Sequence, residues 1–132
     1  MATVKCVVVT PEATSLEQEA DFVVVPLYDG EKGIAAGHSP LIGRLGYGEL
    51  RLKSGGASQR YYVDGGFVQV EANTVSVLTS RVIPAEKLDA DVAEEQLRAA
   101  AKRPANTPEL LDIRERAVAQ ARAQIRLAGK AK

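Results

Sequence analysis

The chain carries a single histidine, His38, and a single cysteine, Cys6, and these two side chains bound the reaction chemistry open to it. His38 lies in DGEKGIAAGHSPLIGRL, residues 29–45, framed by glycines and followed two positions on by Pro40. An imidazole placed there has three uses: proton transfer, metal ligation, or a polar contact to a partner. A structural zinc or iron site needs several His, Cys or carboxylate ligands, so no metal is expected. The same count disfavours a barrel oxygenase that gathers two or three histidines. For nucleophilic catalysis His38 needs a positioned partner, but Ser39 is its sequence neighbour and no hydrolase spacing surrounds the pair. The phosphate-loop pattern G-x-x-x-x-G-K-[ST] is absent, and GGASQ and DGGF read as turns. Glu12, Glu17, Glu19, Asp21 and Asp29 have no spacing that singles out an acid/base pair. The residue types favour binding over catalysis, with no catalytic residue and no cofactor expected.

Those side chains need a scaffold, and 132 residues are enough for one core plus an attachment. Hydrophobic residues make up 45% and charged residues 26%, a globular composition. Basic and acidic residues number 17 each, so no overall field draws the chain to nucleic acid. Cys6, inside VKCVVVT, reads as a small hydrophobe in a strand, and a lone cysteine fits a reducing compartment. The uninterrupted apolar runs fall far short of a membrane span, so a soluble protein is expected, one that can sit beside a membrane.

Residues 3–83 read as strands. TVKCVVVT, DFVVVP, GELRLK, QRYYVD, GFVQVE and TVSVLTS are rich in Val, Tyr, Phe and Thr and are separated by SGG at 54–56, DGG at 64–66 and AN at 72–73. In GELRLK, Leu50 and Leu52 face one way while Glu49, Arg51 and Lys53 face the other. Tyr61 and Tyr62 are adjacent, so at most one faces the core. Gly65 and Gly66 permit close backbone approach or a bulge before a strand whose Phe67 enters the core, the alternative for this segment being direct contact with a partner. Short strands at this spacing predict an all-β sandwich or barrel.

After Pro84 the pattern becomes alanine-rich, charged and helical. Residues 86–102 place Leu88, Val92, Ala93, Leu97, Ala100 and Ala101 on roughly one stripe. KRPANTPE breaks the chain. Thr107 is the expected N-cap and Pro108 the first residue of a second helix through about Leu127, with Leu111, Val118 and Ile125 recurring every seven residues and Ala117, Ala121 and Ala128 flanking that seam. The economical arrangement is an antiparallel helical hairpin. The acidic start of its first helix would then lie beside the basic end of its second, an attraction worth about 0–1 kcal/mol per exposed pair.

Taken together, VVTPEAT, DGEKGIAAGHSPLIGRL, GELRLK, YYVDGGFVQVEANTVSVLTS and the helical tail resemble the epsilon subunit of bacterial F-type ATP synthase, counterpart of the mitochondrial delta subunit. The likeness runs from about Val4 to Leu127. DGEKGIAAGHSPL is similar to the family's D/E-G-E-x-G-I-x-x-G-H-x-P-L loop, and DGGFVQV to its S-G-G-F/I-x-E-V strand. The resemblance implies a ten-stranded β-sandwich over residues 1–84 and a two-helix domain over 85–132. It also implies a place in the central stalk of the rotor, bound to gamma and seated on the c-ring, at the cytoplasmic face of the bacterial inner membrane. In the family this subunit couples proton-driven rotation to catalysis without a catalytic residue of its own. In many bacteria its helices can extend into the alpha/beta hexamer and inhibit ATP hydrolysis.

By the same resemblance, Glu31 matches an acidic contact to the ring and His38 a position near gamma. Gly33, Gly37, Pro40 and Leu41 complete that partner-facing loop, with Gly30, Gly33 and Gly37 expected in turns closed to larger residues and Pro40 stiffening the exit. The alternative for His38 is that it bonds and orders its own loop. The segment AAG at 35–37 departs from the family's more usual proline before the glycine. The family's ATP-sensing motif, I/L-D-x-x-R-A, meets LDADVA here: Leu88, Asp89 and Ala93 fit, but Val92 replaces the phosphate-facing arginine and Asp91 adds repulsion. Weak or absent ATP binding is therefore expected, which counts against the alternative function, a stand-alone nucleotide sensor. Arg114, Arg116, Arg122 and Arg126 are the basic residues expected on an inhibitory second helix.

Overall fold

Valine-rich segments such as VKCVVV and TVSVL suit extended backbone, because β-branched side chains pack well on a pleated, half-buried surface. The structure, a computed structural model, describes residues 2–130; Met1, Ala131 and Lys132, at the ends of the two expected segments, lie outside the described residues. The chain divides into two compact units, Met1–Ile83 and Pro84–Lys132. Eight strands occur among the described residues: β1 (Val4–Val9), β2 (Thr14–Ala20), β3 (Phe22–Leu27), β4 (Gly30–Ala35), β5 (Leu41–Ser54), β6 (Ala57–Glu71), β7 (Thr74–Leu78) and β8 (Val82–Pro84). Their order is β2-β1-β7-β6-β5-β3-β4, with β8 also paired to β6. β1 and β7 run parallel, and β5 and β6 form one long antiparallel hairpin from Leu41↔Val70 to Ser54↔Ala57.

That hairpin serves both layers of the sandwich. Its open end, residues 41–45 with 66–70, continues into β7 through Phe67↔Leu78 and Glu71↔Thr74. Its turn end instead lies beside β3, through Phe22↔Lys53 and Val24↔Arg51. Sequence reasoning treats QRYYVD and GFVQVE as separate strands because glycines lie between them, but they are one continuous β6 of 15 residues. Counting each half of β5 and β6 once per layer turns the eight strands into ten segments. The ladder skips Gly46 and Gly65, where the hairpin bends. Gly66 makes the bend possible: its φ is +110°, and a Cβ there would stand 1.8 Å from the Leu78 carbonyl oxygen.

The inner faces meet in a core of Val4, Cys6, Val8, Val68, Val70, Val75 and Val77 from one layer, and Val23, Val25, Ile34, Leu50, Leu52 and Val63 from the other. Burial pushes the Cys6 thiol up to about 12, so at neutral pH it is a protonated, inert hydrophobe. Two expectations are corrected. Phe67 does not enter the core: it is 60% exposed, because Val68 and Val70 hold the inward phase of β6. The stretch from residue 29 is not loop throughout, since Gly30–Ala35 is β4, paired along its length with β3.

In the second unit a 3-10 turn (Ala85–Lys87) precedes two helices, α1 (Ala90–Ala101) and α2 (Pro108–Lys130). The first helix starts four residues later than expected, because Asp89 is extended (φ −112°, ψ 113°) and accepts N–H bonds from Asp91 and Val92 as an N-cap. Thr107 caps α2 as predicted: its Oγ1 accepts from the Leu110 N–H at 3.1 Å. The helices pack on each other across the connection 102–107, too short for anything but antiparallel neighbours. The seam differs from the heptad reading. Leu111 is 37% exposed and Val118 and Ile125 are half-buried, whereas Ala93, Ala100, Ala121 and Ala128 are buried. On alanine-rich helices the small side chains take the line of closest approach and push bulkier neighbours to its flanks.

Candidate functional site

The loop after β4 is pinned from both sides. Ala36 packs against the core, and the Gly37 N–H (φ +84°) donates to Asn73 Oδ1 at 2.8 Å. Asn73 sits in the β6–β7 turn, where it and Ala72 have φ of 60° and 51°, a left-handed two-residue hairpin. His38 is half-exposed, and its Nδ1 lies 2.7 Å from the Ser39 carbonyl oxygen. A carbonyl only accepts, so Nδ1 carries the proton and Nε2 is the ring position that can meet a partner. The imidazole is thus tied to the backbone of its own loop. Pro40 is exposed, and Leu41 opens β5 half-buried against the core.

Glu31 does not join this loop. It pairs with Pro26 near the β3–β4 turn, whereas Ala35 pairs with Phe22 at the strand's far end. Four strand steps separate Glu31 from Ala35, about 13 Å at 3.3 Å per residue. The expected partner-facing set is therefore split between the two ends of β4. Gly33 is not in a turn either: it lies mid-strand, and a Cβ there would come within 2.4 Å of Phe22 Cζ, so its role is to admit that ring.

Glu31 instead reaches an ion cluster on the outer face of its layer. Arg51 Nη1 donates to Glu31 Oε2 at 3.2 Å and to Glu49 Oε1 at 2.8 Å, and Arg60 donates to Glu49 Oε2 at 2.7 Å. Glu49 is only 7% exposed. Burial alone would raise its carboxyl, but the hydrogen bonds and charges of Arg51 and Arg60 outweigh it and hold the group below the usual carboxylate range. The register Glu49↔Tyr62 and Arg51↔Arg60 assembles the cluster, with Tyr62 fully buried and its hydroxyl donating to Asp64 Oδ1 at 2.7 Å. Alternation in GELRLK marks Glu49 as outward but carries no sign that it is buried.

The opposite outer face is apolar at one end. Leu78, Phe67 and Arg44 lie directly across from one another on β7, β6 and β5, and Ile42 follows two residues from Arg44 on the same face. Ile42 is 77% exposed, Tyr28 69%, Phe67 60% and Leu78 49%. The Arg44 guanidinium stacks 4.4 Å from the Tyr28 ring centroid, and the Tyr28 N–H donates to the Arg44 carbonyl. Beyond Leu78 the row continues into a shallow groove of about 340 Å³ lined by Val9, Pro11 and Thr79. Sequence reasoning missed this row, although the alternation of Phe67 with Gln69 and Glu71 was the available signal.

In the helical unit, Asp89 Oδ1 takes the N–H groups of Asp91 (2.9 Å) and Val92 (3.3 Å). The helix N-terminus thus spends its donors on its own carboxylate, and Val92, 48% exposed, adds no donor for a phosphate. Leu88 closes the preceding 3-10 turn and Ala93 is buried. Arg116 is tied to Asp112 at 2.7 Å, one helical turn away. Arg114 and Arg122 line a groove of about 480 Å³ between the helices with Leu97, Ala101 and Val118, and Arg126 is exposed. Among the described residues no cluster of three or more His, Cys, Asp or Glu is placed to hold a metal, and no helix is long and apolar enough to cross a membrane.

The architecture is a bent-hairpin sandwich with an exposed apolar row, followed by a pair of helices with arginines along the second. Comparison with known proteins gives the family. Residues 3–85 match the family described as "ATP synthase, Delta/Epsilon chain, beta-sandwich domain". The "ATP synthase epsilon chain" of Rhodopirellula baltica is 53% identical over 123 residues, covering 93% of this chain and 96% of the relative. That of Symbiobacterium thermophilum is 38% identical, covering 96% and 92%. The chain belongs to the ATP synthase delta/epsilon family, subunits of an enzyme complex. The fold is also that of a chain in the cryo-EM structure of Euglena gracilis mitochondrial ATP synthase (OSCP/F1/c-ring), with TM-score 0.82, 23% identity and coverage of 93% of this chain and 79% of that one. A chain of the Tetrahymena thermophila central stalk and c-ring superposes with TM-score 0.71 at 17% identity, covering 97% and 95%.

Proposed function

We propose that this chain is a non-catalytic central-stalk subunit of a proton-translocating F-type ATP synthase. It links gamma to the c-ring and couples rotation to ATP synthesis, peripherally at the cytoplasmic face of a bacterial inner membrane. The observation that carries the reading is the exposed row of Ile42, Phe67 and Leu78 on the outer sandwich face, in a chain whose relatives bear the name of this subunit. Apolar side chains set together on one sheet face gain from being covered. The row is the surface for gamma. Glu31 at one end of β4, and Gly37, His38, Pro40 and Leu41 beyond the other, supply contacts to gamma and the ring.

The test is the affinity of the full chain for the purified gamma subunit. Burying a phenylalanine is worth about 1.5–3 kcal/mol, so Phe67→Ala is expected to weaken binding by roughly ten- to a hundredfold with thermal stability unchanged. Unaltered affinity for both Phe67→Ala and Phe67→Glu would remove this face as the docking surface.

The helical pair acts as a restraint on ATP hydrolysis. Support comes from Arg122 and Arg126, one turn apart and exposed on α2, a charge pattern suited to acidic surfaces of the alpha/beta hexamer. Removing residues 85–132 is expected to raise ATP hydrolysis in membranes. A rate that stays the same would end the idea of a latch. Nucleotide sensing is disfavoured by the self-capped first turn of α1, where Asp89 and Asp91 confront any phosphate.

A further inference from the structure

Arg44 stands in the middle of an otherwise apolar row. Its guanidinium lies over the Tyr28 ring, 4.4 Å from the centroid, its cross-strand neighbour is Phe67, and Ile42 follows on the same strand face. Among the described residues no carboxylate comes within ion-pair reach of it, whereas the other arginines of the sandwich, Arg51, Arg60 and Arg81, each have one. A cation that is covered by an apolar partner loses its water and is strongly disfavoured unless the partner supplies a counter-charge. The guanidinium held over Tyr28 is a planar fork of N–H donors, a group that can take a carboxylate through two parallel hydrogen bonds.

We propose that the protein docking on this face presents an Asp or Glu side chain, set among apolar residues, to Arg44, and that this ion pair fixes the register of the complex. The inference rests on the reading of the face as the gamma docking surface. Ile42, Phe67 and Leu78 supply the covered area, and Arg44 selects which partner surface fits and in which orientation. Arginine flanked by aromatic side chains is the composition expected at the centre of such an interface.

The experiment measures binding of the full chain to the purified gamma subunit over a range of salt concentrations. Arg44→Gln is expected to weaken binding about tenfold and to flatten the salt dependence, and Arg44→Glu to weaken it by a hundredfold or more. Arg44→Lys should keep the salt dependence while losing part of the affinity. Charge reversal of individual acidic residues in gamma should identify one that restores binding to Arg44→Glu. If Arg44→Gln binds like the parent with the same salt dependence while Phe67→Ala still weakens binding, the carboxylate is refuted and the docking face stands. If neither substitution matters, the docking reading itself has failed. If Phe67→Ala instead dissolves a dimer seen by sedimentation of the chain alone, the face belongs to a second copy and the proposal is overturned.

Discussion

Gly66→Ala is expected to destabilise the sandwich severely. At φ +110° an L-residue is strained, and the added methyl would stand 1.8 Å from the Leu78 carbonyl oxygen, 2.9 Å from its carbon and 3.0 Å from Thr79 Cα. All three are backbone atoms, so no rotamer change relieves the clash; β7 must leave β6. The disfavoured φ costs about 1–3 kcal/mol and the forced overpacking about as much again. The sum, about 2–6 kcal/mol, is a large share of the about 5–15 kcal/mol that holds a domain folded, so the urea midpoint should fall steeply. Gly56→Ala is the control, since a Cβ there meets nothing within 4 Å and its backbone needs no left-handed φ. Urea unfolding followed by circular dichroism should show Gly56→Ala within about 0.5 kcal/mol of the parent. A cooperative Gly66→Ala transition at the parent midpoint would mean that the bend is not where the chain is constrained.

The second large effect concerns Glu49. Its carboxyl is depressed in the folded state, so its stabilising contribution is fully present above the unfolded value of about 4.3 and disappears as pH falls through the lower folded value. Glu49→Ala leaves Arg51 and Arg60 facing a gap, but their side chains are 27% and 21% exposed and can recover some water. The cost at pH 7 is therefore put at about 1–3 kcal/mol, below the range for a fully buried pair. Glu49→Gln separates charge from shape: its deficit should be largest at pH 7 and shrink as the medium is acidified through the depressed folded value, where the parent's carboxyl becomes protonated too. A deficit that does not change with pH would show that packing, and not the ion cluster, is what Glu49 contributes.

Much of the fold is written in local pattern. Alternating valines give the strands, AN at 72–73 gives a hairpin, and Thr107-Pro108 gives the start of α2. The phase of β6 was equally open to reading, since Val68 and Val70 against Gln69 and Glu71 place Phe67 outside. The glycine pair before it suggested a strand beginning at the core, whereas Gly65 and Gly66 mark a bend inside a continuous strand. Glu49 is a different matter. That a charge is buried depends on Arg60 arriving beside Arg51 from 9 positions further on, through a register that no local pattern specifies. The two ends of the 29–42 segment likewise look contiguous in sequence, and only the pairing of β4 with β3 separates Glu31 from His38. In the helices, Ala121 and Ala128, expected to flank the seam, are buried, whereas Leu111, expected on it, is 37% exposed.

The shared hairpin has a mechanical side. In a sandwich of independent sheets, a force along one face can make the sheets slip, since only dispersion contacts resist sliding. Here β5 and β6 pass through the bend and take part in both layers, so slippage would require rupturing a backbone ladder or bending covalent chain. A twist delivered to the Phe67 face is passed to the Glu49 face along continuous backbone, which suits the stalk role proposed above.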